Sequence, residues 1–178
     1  ASGRVTINGE TAKVGAGVTQ YDVVRVDSRP LKLNFEPELP QVLIYHKPEG
    51  EIVSQDDPEG RASVFDKLPR IKQGKWIAIG RLDINTSGLL IFTNSGELAN
   101  RFMHPRYEVE REYAVRIFGE LTEGQMLTLT QGIELEDGPA SFDSISPQGG
   151  EGANHWYQVI IREGRNREVR RLFEAFQL

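Results

Sequence analysis

No cysteine occurs in the 178 residues. Disulfides, thiol nucleophiles and thiolate metal sites are therefore excluded, and a reducing, cytoplasmic setting is the expectation. No apolar run approaches the ~20 residues needed to cross a bilayer. The opening segment, ASGRVTINGE, is polar and strand-like rather than a secretory leader. Histidines number three, His46, His104 and His155. They lie far apart and outside any H-E-x-x-H helix, so no zinc site is expected. Neither a P-loop, a dinucleotide fingerprint nor a G-x-S-x-G elbow is present. The glycine-rich GEGAN (Gly150 to Asn154) does not separate a strand from a helix, as such motifs require. No internal repeat or low-complexity tract occurs.

What is present reads as a globular chain, with 38% hydrophobic and 26% charged residues. That length suits one domain of ordinary size and a small appendage. The net charge of −5 and pI near 5.3 argue, taken globally, against a nucleic-acid binder. The charge is unevenly spread, however. RNREVRR (Arg165 to Arg171) holds four arginines against one glutamate, and Arg101 to Arg116 adds four more arginines and His104. Acid gathers elsewhere, in EPELP, QDDPEG and ELEDGP. An arginine-rich helix is ordinarily a solvated face. Two such windows flanking one polar segment point instead to an anion-binding face.

Residues 1–28 alternate as strands, RVTI, ETAKV and DVVRVD, with an Asn8-Gly9 hairpin turn. So short a piece cannot bury a core alone. The proline-bearing stretch that follows, 29–40, reads as a linker. The main domain, 41–178, opens with the buried strand QVLIYHKP. Next come a polar loop, a helical turn at VFDKLP, and strands KWIAIG and LLIFT. A helix over NSGELANRFMHP is capped by Asn94 or Ser95 and stopped by Pro105. The strand EREYAVRIFG precedes a helix over LTEGQMLTLTQG, with Thr122 and Gln125 as a capping box and Gly132 as C-cap. Strands ASFDSIS and HWYQVIIRE lead to a turn and a helix that runs to the chain end. Strands outnumber helices without regular alternation, which predicts an α+β class with a mixed or antiparallel sheet.

Between the apolar runs WIAIG and LLIFT lies the polar segment RLDINTSG. Its Asp83, Asn85, Ser87 and Gly88 imitate the start of a calcium loop, but the twelfth position is Asn94, where a bidentate Glu is needed. Read alone, Asp83 is a turn residue. Read with Arg81, Arg170 and a tyrosine of EREYAV, it is a carboxylate oriented by a guanidinium beside an aromatic face. Such a trio suits nucleophilic or acid–base work on a polar organic substrate, and arginines beside an aromatic suit phosphate and a stacked base. On the last helix, Val169, Leu172, Phe173 and Phe176 form one apolar stripe. Arg167 and Arg171 fall opposite and are expected in solvent or on phosphate. Arg170 lies at the stripe's edge, about 60° from Phe173 at 100° per residue, so it should be half-buried and paired, with Asp83 the natural partner.

GRLDINTSGLLIFTNSGELANRFMHP, EREYAVRIFG and EGRNREVRRLFEA, with YHKPEG and VFDKLP, closely resemble the RsuA/RluB family of bacterial ribosomal RNA pseudouridine synthases over residues 41 to 178. The G-R-L-D-x-x-T-S-G block is specific to such enzymes. The resemblance implies a pseudouridine synthase fold, a central mixed and mostly antiparallel sheet flanked by helices. Residues 1–28 then correspond to the strand half of an alpha-L RNA-binding module. A helical half is expected upstream, and a further strand after Leu178.

The implied reaction detaches uracil from C1′ of its ribose, rotates it and rejoins it through C5, with no cofactor and no metal. Asp83 matches the essential aspartate, acting at C1′ or assisting proton removal at C2′. Tyr113 matches the active-site tyrosine and Arg170 the basic partner of the aspartate. Arg81 matches the arginine that helps hold the flipped-out state. Alternation puts Tyr113 with Arg111 and Val115 on one strand face, which equally describes an ordinary core aromatic. RNA contacts are expected from Arg81, Arg101, His104, Arg165, Asn166, Arg167 and Arg171, with a solvated helix face the alternative for Arg101 and His104. The implied partner is ribosomal RNA, of the large subunit, bound by a monomer with no membrane association. A non-catalytic RNA-binding protein of the same fold is the alternative. A glycoside or nucleoside hydrolase would want a second carboxylate or a metal beside Asp83, and none stands out.

Overall fold

The computed structural model describes residues 3–36 and 38–178. Ala1, Ser2 and Pro37, the last within the stretch read as a linker, lie outside the described residues. Contacts divide the chain into two units, Ala1–Leu39 and Pro40–Leu178.

The first unit is a four-stranded antiparallel sheet in the order β2-β1-β3-β4, with β1 Val5–Ile7, β2 Glu10–Thr11, β3 Val24–Val26 and β4 Arg29–Pro30. Asn8 and Gly9 both take positive φ, 51° and 87°, as the tight hairpin between β1 and β2 demands. Two expectations shift. The segments ETAKV and DVVRVD contribute only Glu10–Thr11 and Val24–Val26, and Arg29 and Pro30, read as linker, pair with β3. Asp27 and Ser28, at φ 49° and 66°, build a second tight turn there. Pro30 is tolerated because β4 is an edge strand.

The second unit is α+β, with every named strand pair antiparallel. One three-stranded sheet runs β5-β7-β6: β5 Val42–Lys47, β6 Ile77–Ile79 and β7 Gly88–Thr93. Its buried face joins Leu90 and Phe92 to Val53 and Val64. A 3-10 turn at Val64–Lys67, capped by Ser63 and Asp66, carries Val64 into that core. A second sheet, β11-β12-β8, is formed by β8 Arg111–Phe118, β11 Ser144–Glu151 and β12 Asn154–Ile161. Strict alternation along β12 buries Tyr157, Val159 and Ile161. They pack with Leu129 of helix α2 (Glu123–Gln131) and Leu172 and Phe173 of helix α3 (Glu168–Glu174). Tyr157 enters the core because its hydroxyl accepts a hydrogen bond from Leu121 N at 2.9 Å.

Helix α1 (Gly96–Met103) is capped by Ser95, whose hydroxyl accepts from Leu98 N, and ends before Pro105. Asn94, the other candidate cap, instead binds Gln41 N through its side chain. The capping box of α2 forms between Thr122 and Gln125, and Gly132 closes the helix. A short hairpin, β9 Ile133–Leu135 with β10 Gly138–Ala140, was not anticipated. GEGAN is the tip of the β11–β12 hairpin. Helix α3 stops at Glu174 instead of running to the chain end.

Candidate active site

The β6–β7 connection carries the site. Its far end is Gly88 at φ 137°, a conformation that side chains adopt only with strain. Thr86 N donates to Asp83 O at 3.0 Å, folding residues 83–86 into a turn. From beneath, Lys47 holds that turn. Its side chain is fully buried at the end of β5, and Nζ donates to Thr86 O at 2.7 Å and Pro48 O at 2.9 Å, with Ile84 O at 3.5 Å. Burial pushes this ammonium below its ordinary value, against the opposing pull of Glu51, Asp83 and Glu49. Nearby, burial works to raise the Glu51 carboxyl. Hydrogen bonds from Lys67 and Tyr45, with the charges of Lys67 and Lys47, more than offset that and hold it low. Lys47 was not foreseen as a site residue. Its signal was a lone cation closing the apolar strand QVLIYHKP.

Helix α3 reaches the same turn from the other side. Arg170 Nε donates to Asp83 Oδ2 at 3.1 Å, while Nη2 donates to Asn85 Oδ1 at 2.7 Å and Thr86 Oγ1 at 3.0 Å. The two side chains are 34% and 33% exposed, half-buried as the edge of the apolar stripe predicts. Arg167 Nη1 stands 3.6 Å from the same Asp83 oxygen. Asp83 Oδ1 makes no hydrogen bond among the described residues. Tyr113 stands half-buried on β8, across from Val159, against the core that holds α3. Burial raises its phenol above the ordinary value; Arg111 opposes this, and the charges of Glu168 and Asp83 add to it.

The remaining residues named from sequence fall into three groups. Arg81 is exposed, with no ion partner among the described residues. Arg101 pairs with Glu97 on the outer face of α1, and His104 caps that helix, its Nδ1 accepting from Arg106 N at 3.2 Å. Asn166 is exposed in the turn before α3. Arg165 and Arg171, by contrast, converge on Asp137 at the β9–β10 turn. Arg171 binds it in a bidentate fork at 2.7 and 2.9 Å. Arg165 donates to Asp137, to Pro139 O and to the buried Glu168. Arg171 was expected in solvent, and its side chain is only 25% exposed. The helical wheel assigned it away from α3's apolar stripe but could not see the β9–β10 hairpin on that side.

This geometry presents a carboxylate with one oxygen facing two guanidinium groups and the other free of hydrogen bonds among the described residues, in a unit whose strand β8 carries a phenol that burial keeps protonated. Such a set can attack or deprotonate a polar substrate while cations hold its anionic parts. Among the described residues no group of three or more His, Cys, Asp or Glu is placed to hold a metal ion. No helix among the described residues is long and apolar enough to cross a membrane.

The α+β fold matches that of a solved structure described as a pseudouridylate synthase. The TM-score is 0.66 at 26% identity, over 98% of this chain and 73% of that one. The family model for RNA pseudouridylate synthase matches residues 41–175, and the chain belongs to that family. It is 55% identical over 176 residues to the ribosomal large subunit pseudouridine synthase B of Yersinia pestis, covering 97% of this chain and 55% of that protein. To the protein of the same name in Escherichia coli K12 it is 53% identical over 177 residues, covering 98% of this chain and 61% of the relative. The chain thus spans a little over half the length of these curated relatives.

Proposed function

We propose that this chain isomerises a uridine of large-subunit ribosomal RNA to pseudouridine, as a monomer in the cytoplasm, without a metal or cofactor. The reading rests on one observation above all. The aspartate of the G-R-L-D-x-x-T-S-G block is held by Arg170 at 3.1 Å, with its second oxygen free of hydrogen bonds among the described residues. Similarity to proteins named for this activity supports it.

In this reading Asp83 acts on the ribose, at C1′ as nucleophile or at C2′ as base. Arg170 holds it aimed. Tyr113 stacks on the detached uracil and relays a proton, a task its raised pKa suits because the phenol stays a donor well into alkaline pH. Arg81, exposed and unpaired among the described residues, steadies the flipped-out nucleotide. Extrusion costs a few kcal/mol, least where the RNA is already looped or bulged. Arg167 and Asn166, with Arg101 and His104, face phosphate. Arg165 and Arg171 keep that role only insofar as RNA competes with Asp137 for them.

Incubation with ribosomal RNA tritiated at uracil C5 tests the reading. A pseudouridine synthase releases the label and leaves no free base; release of uracil marks a hydrolase, and binding without release marks the non-catalytic alternative.

A further inference from the structure

Most arginines of the second unit engage acids, Arg61, Arg101, Arg162, Arg165, Arg170 and Arg171 among them. Arg106 does not. Its guanidinium carbon lies 4.6 Å from the centre of the Tyr107 ring, and Nη2 donates to the Tyr107 hydroxyl. No carboxylate lies within ion-pair distance of Arg106 among the described residues. The ring of His104 meets Tyr107 edge-on, with centroids 6.4 Å apart and planes at 81°. His104 Nδ1 is occupied by Arg106 N–H, so Nε2 is the nitrogen left to a ligand. Tyr107 nevertheless stays 38% exposed, and its neighbours on α1, Phe102 and Met103, are 37% and 42% exposed.

The nearby acids are turned to other cations. Glu108 and Glu110 share Arg162 with Asp143, at 3.7, 3.0 and 2.6 Å, and Glu97 is taken by Arg101. Arg106 is therefore a cation with no carboxylate partner of its own among the described residues. The cluster is also tied to the candidate active site. Arg111, two residues before Tyr113, donates to Phe102 O at 3.0 Å and Val109 O at 3.3 Å, pinning both ends of the segment to the start of β8.

We propose that His104, Arg106 and Tyr107 form a subsite for one nucleotide of single-stranded RNA flanking the target. The base stacks on Tyr107, and the phosphate takes Arg106 and His104 Nε2. An aromatic ring held rigid by polar neighbours, yet left open, is what base stacking uses, and a guanidinium beside it supplies the backbone contact. The inference rests on the pseudouridine synthase reading for the word target, but binding alone tests the subsite.

The test is a filter-binding titration of the chain with a single-stranded oligouridylate of about 12 nucleotides, within the range single-strand sites span. Tritium release from labelled ribosomal RNA is measured in parallel on the parent. Tyr107→Ala should weaken binding about tenfold with an unchanged salt slope, since stacking releases no counterions. Tyr107→Phe, which keeps the ring, should stay within about twofold. Arg106→Gln, an exposed position that keeps the test sound should Tyr107→Ala unfold, should weaken binding and flatten the salt slope by about 0.7. If Tyr107→Ala and Arg106→Gln both bind within about twofold of a parent that releases tritium, the subsite is overturned alone and the patch is left to a protein partner. If the parent binds RNA and both variants lose binding but the parent releases no tritium, the subsite stands and the enzymatic reading falls. A parent that binds no RNA at low salt overturns both.

Discussion

Two aspartates, Asp83 and Asp137, sit in turns on either side of helix α3, and each is held by one of two consecutive arginines. Arg170 takes Asp83 and Arg171 takes Asp137. The grips differ. Arg171 forks both oxygens of Asp137, Arg165 adds a third contact, and these hold the Asp137 carboxyl below its ordinary value, Arg171 foremost. Arg170 spends one nitrogen on a single oxygen of Asp83 and another on the neutral Asn85 and Thr86. A carboxylate with both oxygens saturated is a fastener. One whose second oxygen makes no hydrogen bond among the described residues keeps a lone pair open to a substrate. The helix therefore uses one arginine to fix its own place and its neighbour to orient the carboxylate proposed as the reactive group.

The sharpest way to break this comparison is to remove each charge in turn. Asp83→Asn should abolish tritium release while RNA binding stays within about threefold of the parent, because phosphate contacts dominate affinity. Asp137→Asn should keep the rate within about an order of magnitude and instead lower the thermal midpoint, by about 2–4 °C. If Asp83→Asn retains more than a few per cent of the parent rate, Asp83 is only a turn residue. If Asp137→Asn is equally inactive, the two turns do not differ in kind.

The arginines give the next contrast. Arg170→Ala should cost roughly a hundredfold in rate, since Asp83, Asn85 and Thr86 all lose a donor and the carboxylate loses its aim. Arg171→Ala should cost stability first. Equal rate losses in the pair, read from single-turnover assays on chains with the parent's circular dichroism, would show that both act by holding the helix.

Lys47 sharpens the comparison from beneath the Asp83 turn. Lys47→Met keeps the stem but strands the carbonyls of Thr86 and Pro48, so urea denaturation should report a loss of about 1–3 kcal/mol. A stability within error of the parent would mean that water or a rearranged backbone satisfies those oxygens.

The smallest effect is in acid. The folded Asp137 carboxyl lies below its unfolded value, ~3.9. Its stabilisation is therefore complete above about pH 4 and is lost as the pH falls through the folded value. Asp137→Asn should flatten the acid limb of the stability curve. An acid limb that keeps the parent's slope in urea titrations across about pH 2 to 5 would contradict the reading of Asp137 as a fastener.

Much of this arrangement was legible in the chain. The Asn8-Gly9 turn, the Thr122 and Gln125 capping box and the stop at Pro105 follow from local backbone chemistry, and each formed where the residues said it would. So did the half-buried setting of Arg170, because a helix fixes angular positions without help from the rest of the fold. The alternation of β8 put Tyr113 on the core side. Other features had no local signature. The β9–β10 hairpin is two three-residue strands, too short for periodicity to register. Helix α3 ends early although its composition would sustain another turn.

By itself the sequence determined which side chains could ionise, where helices α1 and α2 begin and stop, and that one arginine of RNREVRR stands at the edge of an apolar stripe. Only the tertiary structure decided partners. Arg170 meets Asp83 across 87 positions and Arg171 meets Asp137 across 34. Charge type says that each arginine wants a carboxylate, but the choice depends on which turn packing brings within ~4 Å. Lys47 shows the same division. Its identity is local, but its complete burial beneath the Asp83 turn exists only because β5, β7 and the turn between β6 and β7 close over it and offer carbonyls that meet the cost of desolvating an ammonium.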